Sequence, residues 1–460
     1  MTTNMAWNQY GKMLSSKPRP YQIEAIRSWF ENSCRGVFEM ATGTGKTFTA
    51  IAAVGFLIRQ INGNKRSVLT IIVCPYIHVV DQWVSNLEKN NLKSLAAYES
   101  QAIWKNKLED SVSDLQDLPG QSAIVVTTIA TFKSKAFQTI TNQMIGVEQI
   151  FVADEVHHFG AKSLSGFLGG KANYRLGLSA TPERYLDPKG TSKIFDYFGK
   201  SVYKLDIKTA IEKDILCPYD YKPRVCRLTL EETLSYSDIS EQIGLILKGR
   251  EFYELSKQES EKVGKLLRLR SAVLGTCLDK QAIFFEDFKK NSHLKNQLVY
   301  CSQGSSPIHE QMGRHIEYVK ELISVTGVRS ETYEATTDRA SRIRILSEFT
   351  AQELDVILSM KCLDEAVDIP SAKISYFLAS GTNPREFIQR RGRVLRKDVG
   401  KTKAEIWDYI ALPADIGNPE FLEFERQILS RELARAFELA EAADNSEEAK
   451  QALEEIKIGK

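Results

Sequence analysis

The sequence predicts an α/β protein built from two parallel-sheet units, with a helical connecting region between them and a C-terminal helical tail. Three observations carry that expectation. Short β-branched runs of the buried-strand type alternate with helical periodicity in the first half of the chain. A second set of such runs begins after residue 295. The 460 residues also exceed what one hydrophobic core usually supports.

The first set comprises GVFEM (ending at Met40), Val68 to Cys74, Ala123 to Thr128, Ile150 to Ala153 and Arg175 to Ser179, with a helical pattern such as Val79 to Lys89 between strands. These define a first unit over residues 1–202. Residues 203–295 read as a connecting region, opening with two short extended segments and a Pro-bearing turn in CPYDYKPRVCRLTL and then turning helical. Inside it, GKLLRLR (Gly264 to Arg270) is read as a solvated helix face with Leu266, Leu267 and Leu269 packed inward, in preference to a basic stripe on a nucleic-acid backbone. FFEDFKK (Phe284 to Lys290) is read as a charged helix face, not a nuclease centre.

Residues 296–415 form the second unit, with runs at Gln297 to Cys301, Asp355 to Met360 and Lys373 to Ala379. Over 416–460, Leu429, Leu433, Phe437 and Ala440 make a helical stripe expected to dock on its own domain.

A hydrophobic fraction of 43% excludes wholesale disorder. The formal net charge of +2 means that any nucleic-acid surface is a local groove on an otherwise balanced body. Seven scattered cysteines, with no CxxC pair, read as reduced thiols. The N-terminal residues lack a signal-peptide core and no run reaches membrane-span length, so a soluble cytoplasmic protein is expected.

Two motifs carry chemistry. In ATGTGKT, Thr42, Gly43, Thr44 and Gly45 form a loop between a strand and a helix, followed by Lys46 and Thr47. Glycines let backbone N–H groups approach phosphates, Lys46 reaches the terminal phosphates, and the Thr47 hydroxyl suits magnesium. In IFVADEVHHF, Asp154 and Glu155 end an apolar strand, where ligands bind in open parallel sheets. Adjacent acids there suit a division of labour, with Asp154 on the metal and Glu155 on the attacking water. His157 is read as a polar contact in the same cleft, because no Cys or His at suitable spacing accompanies it to bind zinc.

The order RPYQ (Arg19 to Gln22), ATGTGKT, DEVH (Asp154 to His157), LSATPER (Leu178 to Arg184), LDEAVDIP (Leu363 to Pro370) and QRRGRVLR (Gln389 to Arg396) resembles the motif series of superfamily II helicases and translocases. DEVH with QRRGRVLR is most similar to XPB-type repair helicases and to the motor subunits of type I and III restriction enzymes. DEAD-box RNA helicases fit less well, because they carry Asp where His157 stands and usually Gly where Leu395 stands. Swi/Snf-type remodellers usually have a Gln after the last Gly of this motif.

The resemblance implies two RecA-like domains, ATP and Mg2+ as cofactors, and DNA in preference to RNA as the track. It implies that Arg393 and Arg396 act as arginine fingers on the γ-phosphate, supported by Gln389 and Arg390, while Arg391 is a solvated or interdomain charge. Gln22 would read adenine, with Arg19 or Tyr21 packed nearby, and Asp368 would lie near the ribose. Ser179 and Thr181 would couple hydrolysis to domain movement. Thr127 and Thr128 resemble backbone-phosphate contacts, with a strand-end hydroxyl as the alternative. Ala366 departs from the Gly usual two residues before the family acid at Asp368.

The expected function is an ATP-dependent, nucleic-acid-stimulated motor working beside a separate effector, such as a nuclease, in DNA repair, restriction or phage defence. An RNA-directed helicase and an ATP-gated switch that recruits an effector without processive unwinding are the alternatives.

Overall fold

The computed structural model describes residues 14–142, 144–169, 172–185, 187–360, 369, 371–379, 384–414 and 422–458, and their side chains except at 169, 253, 384–386, 422–429, 431, 457 and 458. Two compact units divide the chain, Met1–Asp206 and Ile207–Lys460.

The first unit is a seven-stranded, all-parallel sheet. Its strands are β1 (Arg35–Met40), β2 (Val68–Cys74), β3 (Leu95–Ala97), β4 (Ser122–Thr128), β5 (Glu148–Asp154), β6 (Tyr174–Ser179) and β7 (Ser201–Leu205), in the order β3-β4-β2-β5-β6-β1-β7. VLTIIVC of β2 is buried at every position, as expected of a central strand with both faces covered by helices. The order sets β5, β6 and β1 side by side. Their C-terminal ends therefore form one continuous rim.

The second unit is a six-stranded parallel sheet of β8 (Tyr219–Arg227), β9 (Gln297–Tyr300), β10 (Ser330–Tyr333), β11 (Val356–Ser359), β12 (Ile374–Phe377) and β13 (Ala404–Leu412), ordered β10-β11-β9-β12-β13-β8. Both units are RecA-like domains.

CPYDYKPRVCRLTL does not form two segments about a turn. It contributes one nine-residue strand, β8, with Pro223 opposite Asp408 of β13. An edge strand accommodates proline because half of its backbone N–H groups have no neighbour to serve.

The helices Leu230–Leu247, Lys257–Gly275 and Leu278–Asn291 place Tyr236, Ile239, Val263, Leu266, Phe284 and Phe288 in the same core as β9, β11, β12 and β13. The stretch read as a connecting region thus builds the second unit. Leu269, expected inside, is 44% exposed, whereas Arg270 is buried with its guanidinium over the Tyr236 ring. Asp287 of FFEDFKK is buried and takes a bidentate pair from Arg224, at 2.7 and 3.1 Å.

The tail docks on its own unit through Leu433, Ala436, Leu439, Ala440 and Leu453. No helix among the described residues is long and apolar enough to cross a membrane. The six described cysteines are free and buried, and burial pushes the Cys34 thiol up to about 12.

Candidate nucleotide site

The loop after β1 begins the site. Gly43 and Gly45 sit in the left-handed region at φ 88° and 82°, which lets the chain turn from strand into the Lys46–Gly63 helix. A Cβ on Gly45 would meet the Gln22 amide nitrogen at 3.0 Å. Thr44 braces the loop through its hydroxyl to the Ala41 carbonyl at 2.7 Å. The Tyr21 hydroxyl donates to the Thr44 carbonyl at 2.6 Å. Tyr21 is thus a buttress from the neighbouring Pro20–Glu31 helix.

Lys46 Nζ donates to the Met40 carbonyl at 3.0 Å, back across the loop mouth, and Thr47 follows it in the first helical turn. The Thr42 hydroxyl is buried without a hydrogen-bond partner. An orphaned hydroxyl, a lysine and helix-start N–H groups around one turn fit a polyphosphate.

Gln22 is buried, and its side-chain oxygen accepts the Arg19 N–H at 2.9 Å. That bond occupies one side of the amide expected to meet adenine.

The acids follow from β5. Asp154 Oδ2 accepts the Trp83 indole N–H at 2.7 Å, and Oδ1 accepts the Glu155 N–H at 3.1 Å. Glu155 itself adopts φ 47°, ψ 59°. This left-handed backbone costs a non-glycine residue about 1–2 kcal/mol.

Glu155 Oε2 lies 3.4 Å from His157 Nδ1 and accepts the Ser179 hydroxyl at 3.4 Å. Ser179 Oγ in turn accepts the Thr181 N–H at 3.1 Å. The His157 carbonyl accepts Arg184 Nη1 at 2.6 Å, and Arg184 pairs with Asp187 at 2.7 Å. One hydrogen-bonded path therefore links DEVH to SATPER across β5 and β6.

Burial, followed by the Glu155 carboxylate, pushes Asp154 up from the usual aspartate range. Burial works to raise Glu155 as well, but its hydrogen bond from His157 and the charges of Lys46, His157 and His158 outweigh it and hold it low. The two acids thus separate in character: Asp154 is suited to charge neutralisation by a cation, and Glu155 is held as the carboxylate.

Other expected contacts fall differently. Thr127 is fully buried with its hydroxyl on the Ala97 carbonyl at 2.7 Å, so the strand-end alternative describes it and no hydroxyl is left for a phosphate. Thr128, 7% exposed, accepts the Thr131 N–H at 3.2 Å as a helix cap. Asp368 lies outside the described residues.

In the second unit, QRRGRVLR forms the end of the Pro384–Val394 helix and the residues after it. Gln389, Arg390 and Arg393 are buried, and the Arg390 guanidinium lies 5.1 Å over the Tyr300 ring. Burial lowers Arg396 to about 10. Arg391 is not the solvated or interdomain charge expected. It is 5% exposed and binds Glu438 of the C-terminal helix within its own unit.

Sequence reasoning missed Trp83 and Arg184 as site neighbours, and it placed Tyr21 beside the adenine contact without its bond to the Thr44 carbonyl. Trp83 had no signal beyond its place on an amphipathic helix after β2. Arg184 was visible only as the last letter of SATPER.

Residues 15–184 match the family model described as "Type III restriction enzyme, res subunit", and residues 278–398 match "Helicase conserved C-terminal domain". Together these bracket the phosphate loop, the acids and the arginine helix. The chain belongs to superfamily II of the helicases and translocases. This superfamily II ATPase is related to XPB-type enzymes and restriction motor subunits.

It is 26% identical over 392 residues to "DNA 3'-5' translocase XPB2" of Sulfurisphaera tokodaii, covering 82% of this chain and 78% of that one. It is 27% identical over 326 residues to "Type I restriction enzyme EcoAI endonuclease subunit" of Escherichia coli, covering 66% of this chain and 36% of the other. Its fold matches "ATP-dependent Type ISP restriction-modification enzyme LlaBIII bound to DNA" with a TM-score of 0.59 at 17% identity. That match covers 91% of this chain and 30% of LlaBIII. The chain thus spans most of XPB2 but only about a third of the two restriction proteins.

Proposed function

We propose that the chain is an ATP-dependent DNA translocase or helicase that moves 3′ to 5′ in the cytoplasm. The observation that carries the reading is the hydrogen-bonded path Thr181–Ser179–Glu155–His157, laid beside the Lys46 loop on one rim of the first sheet. A motor needs its hydrolytic carboxylate tied to a segment that moves, and this path supplies the tie.

In the proposed mechanism the N–H groups from Gly43 to Thr47 and the Lys46 ammonium bind the phosphates. Arg19 and Gln22 face the base, and Asp368 is the residue we assign to the ribose. Asp154 and Thr47 would hold Mg2+, which when bound neutralises charge on the β- and γ-phosphates. Glu155 Oε2 is engaged by His157 and Ser179, so Oε1 faces the attacking water and takes its proton. Arg393 and Arg396, with Gln389 and Arg390 beside them, stabilise charge on the transferring phosphoryl group.

Loss of the γ-phosphate changes what Glu155 meets and passes through Ser179 and His157 to the SATPER segment. The span shared with the much longer restriction proteins supports a motor that works beside a separate effector such as a nuclease, in restriction, repair or antiviral defence.

Triplex displacement tests this reading. A third strand annealed on duplex DNA should be stripped only with hydrolysable ATP. Tight ATP-dependent DNA binding without displacement would make the protein a switch.

A further inference from the structure

The last four carbonyls of any α-helix lack intrahelical partners. In the helix Leu422–Glu441 two of them are capped from elsewhere in the fold. Arg391 Nη1 donates to the Glu438 carbonyl at 3.1 Å, and the Tyr219 hydroxyl donates to the Leu439 carbonyl at 2.5 Å. Arg391 Nη2 also binds the Glu438 carboxylate at 3.1 Å. A guanidinium at the negative end of a helix dipole, held to two oxygens, is a directional clamp.

The clamped helix is itself fixed to the sheet. Arg435 pairs with the buried Asp408 of β13 at 3.0 Å, and Asp408 also accepts the Tyr221 hydroxyl at 2.9 Å. Just past the helix, the Asn445 amide bonds both the N–H and the carbonyl of Tyr221, at 2.8 and 3.0 Å, along the edge of β8. The end of the tail helix and the turn after it are therefore tied to β13 and β8.

Arg391 and Arg393 belong to one helix. At 100° per residue they project about 200° apart, so the face that grips the tail is opposite the face carrying Arg393.

We propose that Arg391 is a positioning residue: by clamping the arginine helix to the end of the C-terminal helix, it sets the placement of Arg393 for hydrolysis. The proposal rests on the arginine-finger reading of Arg393. It makes the tail a control point, since a partner or truncation that displaces the Leu422–Glu441 helix slows hydrolysis without weakening nucleotide binding.

The test uses the full chain, with ATP turnover read as kcat and KM and nucleotide binding read with a fluorescent ATP analogue. Arg391→Met keeps the stem and removes the clamp. Its kcat should fall roughly 10- to 100-fold with analogue binding unchanged, as a misplacement of about an ångström does. Arg391→Lys, which keeps one donor to the carbonyl, should recover part of the loss.

In an Arg393→Ala background, Arg391→Met should add no further loss, because it acts through the missing group. Should Arg391→Met not fold, Glu438→Lys on the half-exposed partner repels the guanidinium and reads the same ratio. Unchanged kcat in a folded variant, or full additivity with Arg393→Ala, overturns the clamp. Normal turnover in Arg393→Ala alone overturns the finger reading instead.

Discussion

The indole N–H of Trp83 donates to Oδ2 of Asp154 across 2.7 Å, and both side chains are buried. Trp83 lies on the Ile77–Lys89 helix, which follows β2, while Asp154 ends β5 next to it in the sheet. The bond fixes which carboxylate edge faces the phosphate loop. Trp83→Phe keeps the ring and removes the donor. Stability should fall by about 1.5–3 kcal/mol, the worth of a hydrogen bond to a charged group. Turnover should fall on the order of tenfold as Asp154 loses its orientation. Thermal melting and steady-state turnover check both, and wild-type values in each would show the bond to be dispensable.

Glu155→Gln removes the proton acceptor while keeping the side chain's size. Hydrolysis should drop about 10²- to 10⁴-fold with ATP still bound. Lys46→Ala should lose nucleotide binding as well, because its ammonium meets the phosphates directly. Filter binding beside turnover separates the two.

Arg393→Ala should reduce turnover by about 10³- to 10⁵-fold, the range for arginine fingers in other nucleotide hydrolases, with binding largely spared. Single-turnover hydrolysis measures it. Normal rates would contradict the arginine-finger reading of this motif.

These sites differ in how far the sequence reveals them. The phosphate loop and DEVH are legible because their chemistry depends on neighbours in the chain. Trp83, Tyr21 and Arg184 act through contacts made across 71, 23 and 27 residues, which no local pattern encodes. Arg391 stands apart from the other three arginines in the sequence as a solvated or interdomain charge, but only the docked tail shows that its guanidinium is buried on Glu438. The central strands β2, β4, β5 and β6 stand out as apolar runs. Short β3 and β10 do not, and β8 was hidden by Pro223, which an edge position tolerates.

His315 gives a pH signature for the second unit. Its Nδ1 accepts the Ser302 N–H at 2.9 Å and its Nε2 bonds the Gln281 side-chain oxygen at 3.1 Å, which fixes the proton on Nε2. Burial, then the Lys280 charge, holds its pKa down to about 3. An unfolded histidine titrates near ~6.5, so below that pH the unfolded chain takes up a proton that the folded chain refuses. Stability is therefore lost as pH falls from about 6.5 towards 3, at up to about 1.4 kcal/mol per unit. His315→Gln should flatten this component of denaturant melts between pH 7.5 and 5, and an identical slope in the variant would contradict the assignment.

The most direct test of the motor reading is ATP turnover by the purified chain, first without nucleic acid and then with single-stranded DNA, duplex DNA, forked DNA and RNA. The account predicts low basal turnover, strong stimulation by a DNA form and weak stimulation by RNA. Uniformly low turnover despite tight DNA binding, or stimulation by RNA alone, would contradict it.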